Sequence, residues 1–176
     1  MKKILIGVGI GICLPLIAAY LFVIGGGMPV ATKGNPLPLE HFIANKAIHK
    51  AMGREVDRPS PVPGDEPNLL AGAKIYNAQC AICHGKADRP AIISATAKGM
   101  FPQPPLLVGP EKGVTDDSVG ESFWKVKNGI RLTGMPAYGE SLTETELWQV
   151  SLIVSLAHDL PTSVQQVLRN ADAGQR

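Results

Sequence analysis

The heptapeptide QCAICHG, residues 79–85, sets two thiols two residues apart and follows the second with an imidazole. Cys80 and Cys83 are two of only three cysteines in 176 residues, and the third, Cys13, lies in an apolar N-terminal run. Three chemistries use thiols at this spacing. Zinc needs four ligands, as a rule from a second Cys/His pair at ligand spacing, and the remaining histidines, His41, His49 and His158, form no such pair. A thioredoxin-like redox pair needs a βαβ setting. Covalent haem attachment needs two thiols for the two vinyl groups and an adjacent histidine for the iron, which is what the heptapeptide offers. The flanking pattern has to choose between the last two.

Immediately upstream, LLAGAKIYNAQ (69–79) predicts a helix, capped by Asn68, that runs straight into Cys80. Downstream, SVGESFWKVKNG (118–129) predicts a second helix, with Ser118 and Glu121 at capping-box spacing and Asn128-Gly129 as a stop. Val119, Phe123, Val126 and Ile130 fall on one face of it. A third helix is expected in TETELWQVSLIVSLAHDLP (143–161), where Thr143 and Glu146 stand in capping-box register and Pro161 ends the run. Its Leu147, Val150, Leu152, Val154 and Leu156 are too apolar for a free surface helix, so it must pack. No segment shows the alternation of a strand. The fold class is all-α, which denies the thioredoxin setting and leaves haem attachment.

A haem iron held by His84 needs a second axial group. NGIRLTGMPAYGE (128–140) places Met135 in a Gly-Met-Pro loop between the second and third helices. A methionine by itself is more often core filler than ligand. Met135 differs from Met28, Met52 and Met100 because Gly134 and Pro136 constrain the loop that carries it.

With these residues in view, the chain from Leu69 to about Leu160 resembles a class I monohaem cytochrome c domain. CAICH, a Pro-Pro-Leu segment, the GMPAYG loop and a final helix containing ELWQV occur in that family's order. The resemblance implies a small helical domain around one covalently attached haem c. Cys80 and Cys83 would form the thioether bonds, His84 would be the proximal iron ligand and Met135 the distal one. It implies that the first and last helices cross at Gly72, with Tyr76 and Trp148 packed around the crossing. It also implies a proline carbonyl accepting the proximal histidine's Nδ1–H, for which Pro104 fits best and Pro105 comes next. GKADRPAIISATAKGMFPQP (85–104) is longer than in compact members, and is expected to cover a haem edge or to meet a partner. Arg131 and Trp124 are candidate propionate contacts, with ordinary surface and core placements favoured.

The N-terminus reads MKK and then ILIGVGIGICLPLIAAYLFVI (4–24), without a charge. As a helix the run is about one bilayer thick. It lacks a convincing small-residue cleavage site, so a retained anchor is expected over a cleaved signal. Lys2 and Lys3 place its start in the cytoplasm and the remainder outside. Cys13 is then a small residue packed in the membrane. Residues 1–27 form the anchor, and 28–67 an exported segment containing a short helix, LEHFIANKAIHKAMGR (39–54), and a Pro-rich stretch, EVDRPSPVPGDEP (55–67). That stretch reads as a semi-rigid linker. The compact domain spans 68–161 and a tail 162–176. On the short helix Lys46, Lys50 and Arg54 share a face, either resting on anionic headgroups or simply solvated. His41 and His49 are separated by about 12 Å of helical rise, too far to share an ion.

The formal net charge is only +2, with no basic cluster interleaved with aromatics, so nucleic acid is not an expected partner. Two strong axial ligands leave no open position on iron, and a thioether ligand raises the potential relative to two histidines. The expected function is a membrane-tethered c-type cytochrome, an electron carrier and not an enzyme. It would pass single electrons between a respiratory complex, oxidase or dehydrogenase on the periplasmic side of the cytoplasmic membrane. Two other classes remain: an obligate haem subunit of a larger oxidoreductase complex, and a haem sensor or peroxidase-like protein in which Met135 is labile.

Overall fold

A computed structural model describes residues 2–87, 93–108 and 117–170. Part of the 85–104 loop (88–92) and the end of the tail (171–176) therefore lie outside the described residues. Every regular element among the described residues is helical. The chain divides after Phe42 into two units. The first contains α1 (Lys2–Ile24), 23 residues long, none of them buried against protein. Such a helix is about 35 Å long, enough to cross a bilayer, and it is a candidate membrane span.

Helix α2 (Glu40–Met52) leads into the second unit, where Met52 is fully buried. A single 3-10 turn (Gly53–Asp57) follows. Then come α3 (Glu66–Ile75), a π-type turn (Tyr76–Cys80), α4 (Ala81–His84), α5 (Ala95–Lys98), α6 (Val119–Asn128), α7 (Glu144–Ser155) and α8 (Thr162–Arg169). Helices α3, α6, α7 and α8 enclose the core, in which Tyr76, Phe123, Trp148, Val150, Ile153 and Val164 are essentially inaccessible. The rings of Phe123 and Trp148 stack with centroids 3.9 Å apart.

Helices α3 and α7 cross at Gly72, as the resemblance implied. A Cβ there would strike the backbone carbonyl of Gln149 and come within 2.9 Å of Ile153 Cγ1. The obstacle is backbone and cannot rotate away. Gly72→Ala should therefore destabilise the domain by about 3 kcal/mol, measured as a shift in denaturant midpoint at unchanged slope. A loss below about 0.5 kcal/mol would contradict this close approach.

Three expectations are corrected. First, α3 is capped by Asp65, whose carboxylate accepts from the Asn68 N–H at 3.2 Å, and not by Asn68. Pro67 suits the first turn, because a missing N–H there loses no helical bond. Asn68 Oδ1 instead accepts from Gln149 Nε2 at 2.8 Å, tying α3 to α7. Secondly, the Pro-rich stretch after α2 is packed onto the domain and is not a free linker. Ser118 Oγ donates to the Val56 carbonyl, and the backbone at 55–58 lies so close to Gly120 that no side chain fits there. Arg58 pairs with Glu144 at 2.9 Å and lies 5.1 Å from the centroid of the Trp148 ring. Thirdly, residues 162–169 are not tail. Val164 and Leu168 are buried, and Asn77 Nδ2 donates to the Val167 carbonyl at 2.7 Å, fixing α8 against the start of the thiol turn.

Two end signals behave differently from each other. Thr143 and Glu146 form the full reciprocal capping box. Ser118 accepts from Glu121 N–H at 3.1 Å, but the Glu121 carboxylate turns to Lys125 at 2.7 Å, leaving that box half formed.

Candidate haem site

The first half of the candidate site is built by the sharp exit from α4. Gly85 has φ +89°, a left-handed conformation that favours glycine. The chain then doubles back so that the Leu107 N–H donates to the His84 carbonyl at 3.0 Å. From α3, Tyr76 Oη donates to the carbonyls of His84 (3.1 Å) and Gly85 (2.9 Å). Burial raises the Tyr76 pKa and keeps the phenol a donor.

The returning segment places the Pro105 carbonyl 2.9 Å from His84 Nδ1. The carbonyl is Pro105's and not, as expected, Pro104's, because pairing of Leu107 with His84 fixes the register and turns Pro105 toward the ring. A carbonyl can only accept, so Nδ1 carries the proton and Nε2 is left with its lone pair for a metal. Burial lowers the His84 pKa, opposed by the Pro105 hydrogen bond. Neutral imidazole is the ligand form.

The second half of the candidate site is the loop after α6. Gly129 (φ +65°) ends the helix, and a Cβ on it would lie 2.6 Å from the Ala137 nitrogen. Thr133 Oγ1 accepts from the Met135 N–H at 3.1 Å and donates to the Ile130 carbonyl at 2.7 Å, while Ile130 N–H donates to the Met135 carbonyl at 3.2 Å. Beyond Met135, the N–H groups of Tyr138 and Gly139 donate to the Val126 and Lys127 carbonyls, each at 3.0 Å. Tyr138 Oη reaches the Gln79 carbonyl at 3.2 Å, joining the distal loop to the residue before Cys80.

These halves enclose an open cleft lined by Cys80, Cys83, His84, Pro104 and Met135, among others. Met100, Gln79, Val126, Thr133 and Tyr138 also line it, and no carboxylate does so among the described residues. Burial, reinforced by the neighbouring Cys83, pushes the Cys80 pKa up to about 12, so its thiol stays neutral. One neutral imidazole, two thiols, two thioethers and an otherwise largely apolar wall fit a flat apolar macrocycle with iron at its centre. Arg131, exposed, and Trp124, half-buried, do not line the cleft.

The profile of the family described as "Cytochrome C oxidase, cbb3-type, subunit III" matches residues 67–152. These residues form a cytochrome c domain. The matched span contains the CAICH turn, the Pro-Pro-Leu segment and the GMPAYG loop that build the cleft. Haem binding and electron transfer follow for the cytochrome c domain at that level of description. A quinohemoprotein alcohol dehydrogenase from Pseudomonas putida is 29% identical over 108 residues. The aligned part covers 60% of this chain and 13% of that enzyme, so the chain spans a small fraction of its relative's length. No solved structure matches the chain significantly.

Tyr138, Thr133 and Met100 are among the wall residues that sequence reasoning about the cytochrome c domain left without a role. Tyr138 and Thr133 lie in the loop singled out for Met135, but their hydrogen bonds depend on how that loop folds back. Met100 sits 35 residues before Met135 in the chain, and no spacing rule connects the two.

Proposed function

We propose that this protein is a membrane-tethered c-type cytochrome that carries single electrons on the exported side of the membrane. Cys80 and Cys83 would hold one haem c covalently, with His84 and Met135 as axial ligands. The observation that carries this reading is the pairing of His84 Nδ1 with the Pro105 carbonyl in a cleft whose wall also includes both thiols and Met135. The haem would supply the one-electron couple. The chain's part is to orient His84 through Pro105, to hold Met135 through Thr133, and to keep water from the cleft. With both axial positions taken by the protein, the iron is closed to substrate, which fits a carrier.

A second reading is favoured by both similarities. The matched family is a subunit of an oxidase, and the dehydrogenase relative is a much longer enzyme. The cytochrome c domain would then be the haem module of a larger oxidoreductase assembly, with the dehydrogenase or oxidase as its partner.

Membranes from cells making the full chain test the proposal. The haem absorption should stay in the pellet through high-salt washing, and the ferrous form should be reoxidised by ferricyanide without rapid carbon monoxide binding. Rapid carbon monoxide uptake at neutral pH would exclude the closed-site carrier. A mature N-terminus beyond residue 19 by mass spectrometry would exclude the anchor. Stoichiometric co-purification with an oxidase or dehydrogenase after mild solubilisation would favour the subunit over the free carrier.

A further inference from the structure

Gly134, directly before the proposed distal ligand, is not among the residues with positive φ. Its backbone would therefore accept a side chain without conformational strain. Met100 fills the space one would enter: a Cβ on Gly134 would lie 2.8 Å from both Sδ and Cε of Met100 and 3.2 Å from its Cγ, so the end of the methionine side chain would have to move. The thioether of Met100 thus lies flat on the backbone of the loop that presents Met135.

Met100 is itself fixed to the opposite side of the cleft. Ser94 caps α5 by accepting from the Ala97 N–H at 3.0 Å, and its hydroxyl donates to the carbonyl of Ile82, inside the CAICH turn, at 2.5 Å. Ala97 is buried, and the Met100 N–H donates to the Ala97 carbonyl at 3.2 Å. A continuous path of contacts runs from the CAICH turn through Ser94, α5 and Met100 to Gly134.

We propose that Met100 is a positioning residue: residues 94–100 form a strap that clamps the distal loop to the proximal turn and holds the Met135 sulfur in place. The strap acts through volume and not through a second sulfur–iron bond, because Met100 is packed against Gly134. This rests on Met135 being the distal ligand. It gives a function to the described part of the long segment between the haem-attachment turn and the proline pair.

The test is the rate at which imidazole displaces the methionine from the ferric full-length protein, followed by stopped flow at the weak sulfur-to-iron band. Met100→Ala should speed displacement by about tenfold, since the loop loses its packing partner. Met100→Leu keeps the volume and should stay within about twofold of wild type. Gly134→Ala should act in the same direction as Met100→Ala by forcing Met100 aside. Because the two residues share one contact, the double variant should fall short of the product of the single effects.

Met100→Ala at the wild-type rate, or fully multiplicative single effects, would overturn the proposal. So would loss of the band in Met100→Leu, which would make the sulfur itself the essential feature. If Met100→Ala does not accumulate, Gly134→Ala decides alone, and a wild-type displacement rate there refutes the strap. Failure of the underlying ligand assignment looks different: the wild type would lack the band, or Met135→Ala would retain it.

Discussion

Replacing Cys80 and Cys83 together by alanine should yield a protein whose remaining haem is removed by acid–organic extraction and whose cytochrome domain is largely unfolded. Wild-type haem should survive the same extraction. The two thiols line a cleft that opens into a domain of roughly a hundred residues. A chain of that size has a marginal apolar core, so a cofactor that binds only the folded state contributes a large share of its stability. Without the thioether bonds, haem is held by axial ligation alone and leaves when the chain opens. Far-ultraviolet circular dichroism and haem extraction measure the two consequences separately. Haem that extracts freely from the wild type would sink covalent attachment, and a double variant that keeps its haem through extraction would do the same.

The second large effect concerns the distal position. Met135→Ala should remove the sulfur-to-iron band and let the ferrous protein bind carbon monoxide readily, because a held thioether is replaced by a methyl group. Met135→His should restore six-coordination while lowering the reduction potential, since a nitrogen donor favours the ferric state. A fall on the order of 0.1–0.2 V is expected, well inside the ~0.8 V that axial ligands command. Spectroelectrochemical titration of the three proteins reads both quantities. Should Met135→Ala stay six-coordinate while Met100→Leu opens the iron, the distal assignment passes to Met100.

The parts of this design that were legible in the sequence are those written in local pattern. The CAICH turn, the apolar face of α6, and the capping box at Thr143 and Glu146 all depend on short spacings or on one helix face, whereas the crossing at Gly72 came only from the family resemblance. The corrections share a different origin. Whether Pro104 or Pro105 supplies the histidine's acceptor depends on a backbone pairing between His84 and Leu107, and adjacent prolines are indistinguishable by composition. The stretch after α2 reads as linker because its prolines dominate, yet Arg58, Val56 and Gly120 make it part of the domain through contacts some sixty to ninety residues away in sequence. Helix α8 is missed because Val164, Val167 and Leu168 are few and follow a proline that elsewhere signals an end. Gly134 stands out in the sequence only as a constraint on the Met135 loop, and only the folded loop brings it into contact with Met100.

The docking of α8 also sets an order of events as the chain is made. The segment that leads into the CAICH turn is held by residues far downstream: Gln149 on Asn68, Val167 on Asn77, and Ser163 Oγ on the Glu66 carboxylate. A nascent chain that has reached only the second thiol lacks every one of these partners. Contacts so distant in sequence form late, because the intervening chain must first be closed into a loop. Cys80 and Cys83 therefore emerge well before the helix behind them can be buried. Until residues 144–169 arrive, the turn that carries both sulfurs lacks the contacts that fix the segment leading into it.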